Sequence, residues 1–404
     1  MSEKESRDII LAMVRWVKGL YHLLVAIVAN VWFGFPSRKL TVIGVTGTDG
    51  KTTTTTIIYE ILKAAQYKVS EITSVHAVIG GHEYDTGFHV TTPDAWWIQK
   101  YLNEAVDHGD THMVLEVTSH ALAQHRVLGI RFAVGVLTNV THEHLDWHKT
   151  FAHYLSTKLS LLARSSVVVI NRDESEAYDQ ALPILRRKKI ITYGIRRDAM
   201  ITPKTFRFST KLPGLFNKYN CLAAIATGHT LGIDKKIMQR TLTKFTGVKG
   251  RMETLQEEPF RVIVDFAHTP NAIEQSLRTS REMTDHKLIH VFGSAGLRDH
   301  SKRPLMGKAS STYADVIILT EEDYRTEKVE AIMDQINQGI PMGKTVYRQP
   351  DRTEAIRFAL TLAKKGDLVM ITGKGHETSL CRGTVEFPWS DEDEVQKILY
   401  GTSL

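Results

Sequence analysis

Short apolar runs recur along this chain, and each is closed by polar or glycine-rich sequence. The first half holds Val42, Ile43 and Val45, then Met113-Val114-Leu115-Glu116-Val117, Ala133-Val134-Gly135-Val136-Leu137 and Val167-Val168-Val169-Ile170. Runs of this length without polar alternation are the pattern of strands buried on both faces of a parallel sheet. Between them, Ala95 to Ala105 and Phe151 to Ala163 are amphipathic stretches fit for helices. From Thr41 to about Thr246 this alternation predicts a doubly wound α/β domain, whose ligands collect at the carboxyl ends of the strands. Near Gly250 the pattern restarts with Val262-Ile263-Val264, Leu288 to Phe292, Val316 to Leu319 and Leu368 to Ile371. The tails of these runs are Asp265-Phe266-Ala267-His268, Gly293-Ser294-Ala295-Gly296, Thr320-Glu321-Glu322-Asp323 and Gly373-Lys374-Gly375-His376-Glu377. Two α/β domains with facing carboxyl-end loops suit an enzyme that closes on a nucleotide and a second substrate.

Residues 1–39 break the pattern. An apolar stretch from Ile9 to Phe35 is interrupted by Arg15 and Lys18, and its uncharged part runs from Gly19 to Phe35. That part falls a little short of the roughly 20 residues that span a bilayer. Trp16, Tyr21, Trp32 and Phe33 lie towards its ends, where interfacial aromatics belong, and Pro36-Ser37-Arg38-Lys39 stops the helix. No small-residue cleavage site follows, which argues against a secretory signal. Two readings stay open: a helix packed on its own domain or a partner, and a membrane-dipping or short spanning helix. The expected division is an apolar helical segment at 1–39, a nucleotide-binding domain at 40–247 and a second α/β domain at 248–404.

Composition narrows the class. At 404 residues the chain is too long for one ordinary core, and 42% hydrophobic with 24% charged residues is globular. Cys221 and Cys381 cannot make a disulfide framework, which points to a reducing, cytoplasmic setting, with the inner membrane face as a variant. A net charge of +6 suits anionic small substrates or an acidic membrane surface, and no basic stripe calls for nucleic acid. A monomer is expected.

The most informative stretch is Thr46-Gly47-Thr48-Asp49-Gly50-Lys51-Thr52-Thr53, set between an apolar strand and a helix start. Strand, glycine turn and helix in that order let backbone N–H groups close around phosphates. Lys51 would reach the β/γ-phosphates of ATP and the Thr52 hydroxyl would ligate Mg²⁺. The general phosphate-loop pattern has a glycine where this chain has Val45. His144 and His148, four apart, resemble half of a zinc site, but no further ligand set accompanies them.

With these blocks in view the chain resembles the Mur ligases, which build the peptide stem of bacterial cell walls. Gly44-Val45-Thr46-Gly47-Thr48-Asp49-Gly50-Lys51-Thr52-Thr53 is similar to that family's own phosphate loop, which accounts for Val45. Glu116-Val117-Thr118-Ser119-His120-Ala121-Leu122 with Gln124 and Arg126, and Thr138-Asn139-Val140-Thr141-His142-Glu143-His144-Leu145-Asp146 with Tyr154 and Lys158, resemble its next two. Leu212-Pro213-Gly214-Leu215-Phe216-Asn217 with Asn220, Gly250-Arg251-Met252-Glu253 and Asp265 to Pro270 extend the likeness, which is strongest to the branch adding the third residue. The resemblance implies a central phosphate-loop domain and a C-terminal Rossmann-like α/β domain. It also implies ATP-driven amide formation through an acyl phosphate, with a muramyl peptide as acceptor and an amino acid as donor of the amine. Glu116, His144 and a carbamylated Lys158 would hold a second Mg²⁺, and carbamylation needs a neutral, partly buried amine. Thr91, Thr92, Ser119, Gln124 and Arg126 would contact the acceptor. Asn217 and Asn220 would lie near adenine, Arg251 at phosphate and Asp265 at ribose. Arg298, Arg325, Gly373 and Glu377 would hold the incoming amino acid, and a zwitterionic diamino acid suits Arg and Glu together.

Two features depart from the family. It normally carries an N-terminal domain binding the UDP of its substrate, whereas 39 mostly hydrophobic residues before Leu40 are expected not to build one. Its amino-acid motif Asp-Asn-Pro-Arg stands here as Glu322-Asp323-Tyr324-Arg325. A ligase for a lipid-linked or polymeric acceptor is therefore an alternative, as is a membrane-associated nucleotide-binding regulator without turnover. Folate polyglutamylation fits less well, because the Glu116-to-Arg126 block is of the muramyl-peptide kind.

Overall fold

The computed structural model describes residues 3–84, 92–141 and 150–401, with side chains from residue 17 onward. The described chain forms two compact units, one holding Thr150–Thr210 and Tyr219–Phe245 with the residues up to Val140, the other holding Lys211–Lys218 and the chain from Thr246.

The first unit opens with helix α1 (Glu3–Trp32), which starts earlier than the apolar stretch and ends three residues before Phe35. Eight strands follow: β1 (Thr41–Thr46), β2 (Val69–Ile72), β3 (Ala77–Ile79), β4 (His82–Tyr84), β5 (His112–Glu116), β6 (Phe132–Leu137), β7 (Val167–Asn171) and β8 (Lys189–Tyr193). They make one sheet in the order β4-β3-β2-β5-β1-β6-β7-β8, in which β3 and β4 are antiparallel and the rest parallel. Both faces are covered, as parallel strands require, by helices that include α2 (Lys51–Ala64), α3 (Ala95–Asp107), α4 (Ser119–Ala123) and α5 (Phe151–Arg164). Helix α2 is unusual in composition. Thr52 to Thr56 are β-branched, a type that loses χ1 freedom in a helix, and all five are buried, so packing rather than propensity holds this turn.

The second unit has six strands: β9 (Glu253–Gln256), β10 (Arg261–Asp265), β11 (Leu288–Phe292), β12 (Val316–Leu319), β13 (Thr345–Arg348) and β14 (Leu368–Thr372). Their order is β13-β12-β11-β14-β10-β9, with only β9 antiparallel to its neighbour. A hairpin of β15 (Ser379–Arg382) and β16 (Val385–Pro388) stands apart from this sheet. Apolar clusters fill both faces, one around Ile263, Phe292 and Met370 and the other around Val264, Val291 and Ile371. The mixed α/β architecture expected from the apolar runs is the one found. Among the described residues no helix is long and apolar enough to cross a membrane, so the short-spanning reading of α1 is corrected. Lys18 interrupts its apolar run, and its C-terminal part packs on protein.

Candidate active site

Strand register assembles the first unit's site. β1 lies between β5 and β6, with Val45 opposite Glu116 and Thr46 opposite Leu137. The tails Gly47 to Thr53, Glu116 to Ser119 and Thr138-Asn139 thus emerge side by side at the carboxyl ends of neighbouring strands. Asn139 and Thr138 shape the glycine loop. The Thr48 N–H donates to the Asn139 carbonyl (3.0 Å) and the Asp49 N–H to Asn139 Oδ1 (2.8 Å). The Thr138 hydroxyl donates to the Asp49 carbonyl (2.7 Å).

Two glycines are required sterically. Gly47 (φ +156°) faces the Thr138 hydroxyl and Gly50 (φ +77°), the residue capping α2, faces the Asn220 amide, so a Cβ at either would collide. Gly50→Ala is expected to destabilise the unit by about 1–2 kcal/mol, since a left-handed residue with Cβ is strained even before the clash. Thermal melts of the variant with and without ATP check this, because the ATP-induced rise in melting temperature should shrink as well.

At the start of α2, Lys51 Nζ donates to the Thr48 carbonyl (2.8 Å), so the ammonium stands over the loop. Thr52 Oγ1 donates to Glu116 Oε2 (2.9 Å), which also accepts from the Ser74 N–H (3.0 Å) and lies 3.2 Å from the Ser74 hydroxyl. Two ligands on adjacent vertices of an Mg²⁺ octahedron with bonds of about 2.1 Å stand about 3 Å apart, which this hydroxyl–carboxylate pair matches. Among the described residues no group of three or more His, Cys, Asp or Glu converges on one point. A metal at Thr52 and Glu116 would therefore complete its shell with phosphate oxygens and water, as Mg²⁺ commonly does.

Lys158, on α5, is buried and reaches the loop from Gly47, whose carbonyl accepts from Nζ at 2.5 Å. Its Nζ also lies 4.5 Å from the ring centroid of Tyr154, and the Tyr154 hydroxyl meets Thr48 Oγ1 at 3.0 Å. A carbamate retains one N–H, so the bond to Gly47 is compatible with either form of the amine. His144 and Thr91 lie outside the described residues.

The acceptor candidates gather beyond Glu116. Thr92 Oγ1 donates to the Glu116 carbonyl (3.1 Å) and accepts from the Thr118 N–H (3.1 Å), while buried Ser119 opens α4. Arg126 Nη1 donates to the Thr92 carbonyl (2.5 Å) and Nη2 to Gln124 Oε1 (2.6 Å). Asn220 is buried beside Thr54, whose hydroxyl donates to its Oδ1 (3.4 Å). Ser74, which touches both Thr52 and Glu116, was not among the expected residues. Its only signal is its place two residues past the end of β2.

In the second unit Asn217 is buried, with Nδ2 donating to the Pro213 carbonyl (2.8 Å). Arg251 stacks over Phe266, its guanidinium carbon 4.4 Å from the ring centroid. Asp265 is buried and accepts from the N–H groups of Met252 (3.2 Å) and Phe266 (2.9 Å) and from the Ser276 hydroxyl (2.5 Å). Burial pushes its carboxyl upward, and the Ser276 bond, the Arg251 charge and the two N–H groups oppose this.

The four amino-acid candidates share the ends of β11, β12 and β14. Arg325 Nη1 donates to the Gly296 carbonyl (2.6 Å), two residues before exposed Arg298. Gly373 (φ +111°) lies against the Glu322 carboxylate, and Glu377 pairs with buried Lys374 (2.5 Å), which also meets Asp323 (2.8 Å). Glu327 ties this region together, accepting from Arg303 and from the Leu297 N–H, and those contacts hold its carboxyl at about 2. Lys374 and Glu327 had no role in the sequence reading.

The pattern of the Mur ligase middle domain matches residues 45–228, and that of the Mur ligase glutamate ligase domain matches 250–375. The chain is similar to the UDP-N-acetylmuramoyl-L-alanyl-D-glutamate–2,6-diaminopimelate ligase of Aquifex aeolicus, with 41% identity over 92% of this chain and 80% of that one. The enzyme of the same name from Alkaliphilus metalliredigens is 39% identical over 88% of this chain and 76% of its own. A solved structure of such a ligase is 31% identical, with a TM-score of 0.60 over 90% of this chain and 78% of its own. Folylpolyglutamate synthase of Mycobacterium tuberculosis, complexed with ADP and AMPPCP, shares the fold at 17% identity, with a TM-score of 0.70 over 87% of this chain and 92% of its own.

Proposed function

This chain belongs to the Mur ligase family, and on that premise we propose that it adds a diamino acid, 2,6-diaminopimelate, to UDP-N-acetylmuramoyl-L-alanyl-D-glutamate. It is an ATP-dependent amino-acid ligase of peptidoglycan synthesis, acting on small molecules. The observation that supports the finer reading is the identity of 39–41% to ligases named for 2,6-diaminopimelate, over 88–92% of this chain; the Thr52–Glu116 pair beside the glycine loop supports a magnesium-dependent nucleotide site.

An acceptor carboxylate oxygen attacks the γ-phosphorus of ATP, ADP leaves, and the amine of the incoming amino acid then attacks the acyl carbon and expels phosphate. The protein's share is positioning and charge neutralisation. In the first unit Lys51 would face the β/γ-phosphates and Asn220 would lie near adenine; in the second, Arg251 would serve a phosphate, Asp265 the ribose and Asn217 the adenine. Thr52 and Glu116 would hold one Mg²⁺, and His144 with a carbamylated Lys158 the second. Bound Mg²⁺ neutralises phosphate oxygens. Thr91, Thr92, Ser119, Gln124 and Arg126 orient the acceptor, and Arg298, Arg325, Gly373 and Glu377 the amino acid. The enzyme acts as a cytoplasmic monomer.

Phosphate release measured over a matrix of acceptors and amino acids tests the reading. Release should require both substrates and be fastest with diaminopimelate, ahead of lysine and ornithine. ATP binding without release in every cell of the matrix would sink it.

A further inference from the structure

Helix α1 presents an outer face that the unit leaves uncovered. Its inner side is docked: Ala26, Ala29 and Asn30 are buried, and Asn30 Nδ2 donates to the Leu128 carbonyl (2.8 Å). Phe33 meets Trp96 edge to face with ring centroids 5.2 Å apart. Opposite lie Val17, Leu20, Tyr21, Leu24, Val28 and Val31, at the three-to-four-residue spacing of one helix face, and Trp32 continues it. Tyr21 is 64% exposed, Leu24 52%, Val31 64% and Trp32 72%. Soluble proteins rarely leave a contiguous apolar stripe of this length in water, and larger exposed patches mark protein or membrane interaction sites.

Charge selects the partner. Residues 17–39 contain Lys18, Arg38 and Lys39 and no acidic residue, and all three cations are exposed at the two ends of the stripe. A second copy laid on this face would set cation against cation. An anionic lipid surface instead complements both ends, while Tyr21 and Trp32 suit its interfacial layer.

We propose that α1 is a bilayer-surface helix that docks this enzyme on anionic lipid through the Val17–Trp32 stripe. The helix lies in the plane of the surface rather than across it, with Lys18, Arg38 and Lys39 at headgroup level.

The test uses the full chain and vesicles of phosphatidylcholine with and without phosphatidylglycerol, read by co-sedimentation. At low salt the chain should pellet with the anionic vesicles and much less with neutral ones. Leu24→Glu with Val28→Glu, both on the outer face, should weaken binding about tenfold or more. The melting temperature and the phosphate release with a water-soluble acceptor should not change, which separates failure of the docking from failure of the ligase reading. Lys18→Gln with Arg38→Gln and Lys39→Gln should remove most of the salt dependence. A chain that stays in the supernatant, or glutamate variants that pellet as well as the parent, would overturn the proposal. So would a dimer that those variants split while vesicles bind nothing, because the face would then belong to a second copy.

Discussion

Lys51→Ala should lower ATP-dependent phosphate release on the order of a thousandfold, with the fold unchanged. The side chain is half-buried and its Nζ is tethered to the Thr48 carbonyl, at the mouth of the loop and outside the apolar clusters. Its removal deletes a positive charge where the transferring phosphoryl group gathers negative charge, and that interaction strengthens on the way to the transition state. The loss should fall mainly on kcat, with a smaller rise in the KM for ATP. Lys51→Arg should recover little, because a planar fork does not replace a compact ammonium in a loop this tight. Steady-state kinetics with a thermal melt of each variant decide the matter. Full ligase activity in the alanine variant would show that the glycine loop is not the phosphate site.

What the sequence conveys depends on the kind of signal. The buried parallel strands were legible because each is a short apolar run that water cannot reach from either face; Leu288–Phe292 and Val316–Leu319 begin and end where the pattern does. The edges were not. β3 and β4 have three residues each, and β13 and β16 are largely exposed, so no apolar run marks them. Buried Glu71 also interrupts the apolar pattern of β2. Within the site, Gly47 to Thr53 could be read because the chemistry is local. The meeting of Thr52 with Glu116, 64 residues apart, could not, since it depends on β5 lying next to β1. Ser74 reaches the same carboxylate from a turn with no motif. The family resemblance named Glu116 together with His144, which lies outside the described residues; among the described residues Glu116 accepts from Thr52 and Ser74.

Lys158→Ala should cost on the order of a hundredfold or more in ligase rate, and the manner of its rescue tells which species acts. Lys158 is buried against the Gly47 carbonyl and the Tyr154 ring, so an unmodified ammonium there would be a cation supporting the phosphate loop directly. A carbamate at the same atom has the opposite sign. It forms when the neutral amine attacks CO₂ and loses a proton, leaving a terminal carboxylate able to hold a metal and one N–H for Gly47. The two species make opposite forecasts in the alanine variant. If the carbamate acts, acetate or propionate should restore part of the rate by filling the vacated anion site, and methylamine should not. If the ammonium acts, the small amine should rescue and the carboxylates should not. Parent enzyme depleted of CO₂ and bicarbonate gives the third arm, since only the carbamate form should lose activity and regain it when bicarbonate returns. Activity indifferent to bicarbonate, with rescue by methylamine alone, would establish Lys158 as a cationic support of the glycine loop and exclude it from the metal site.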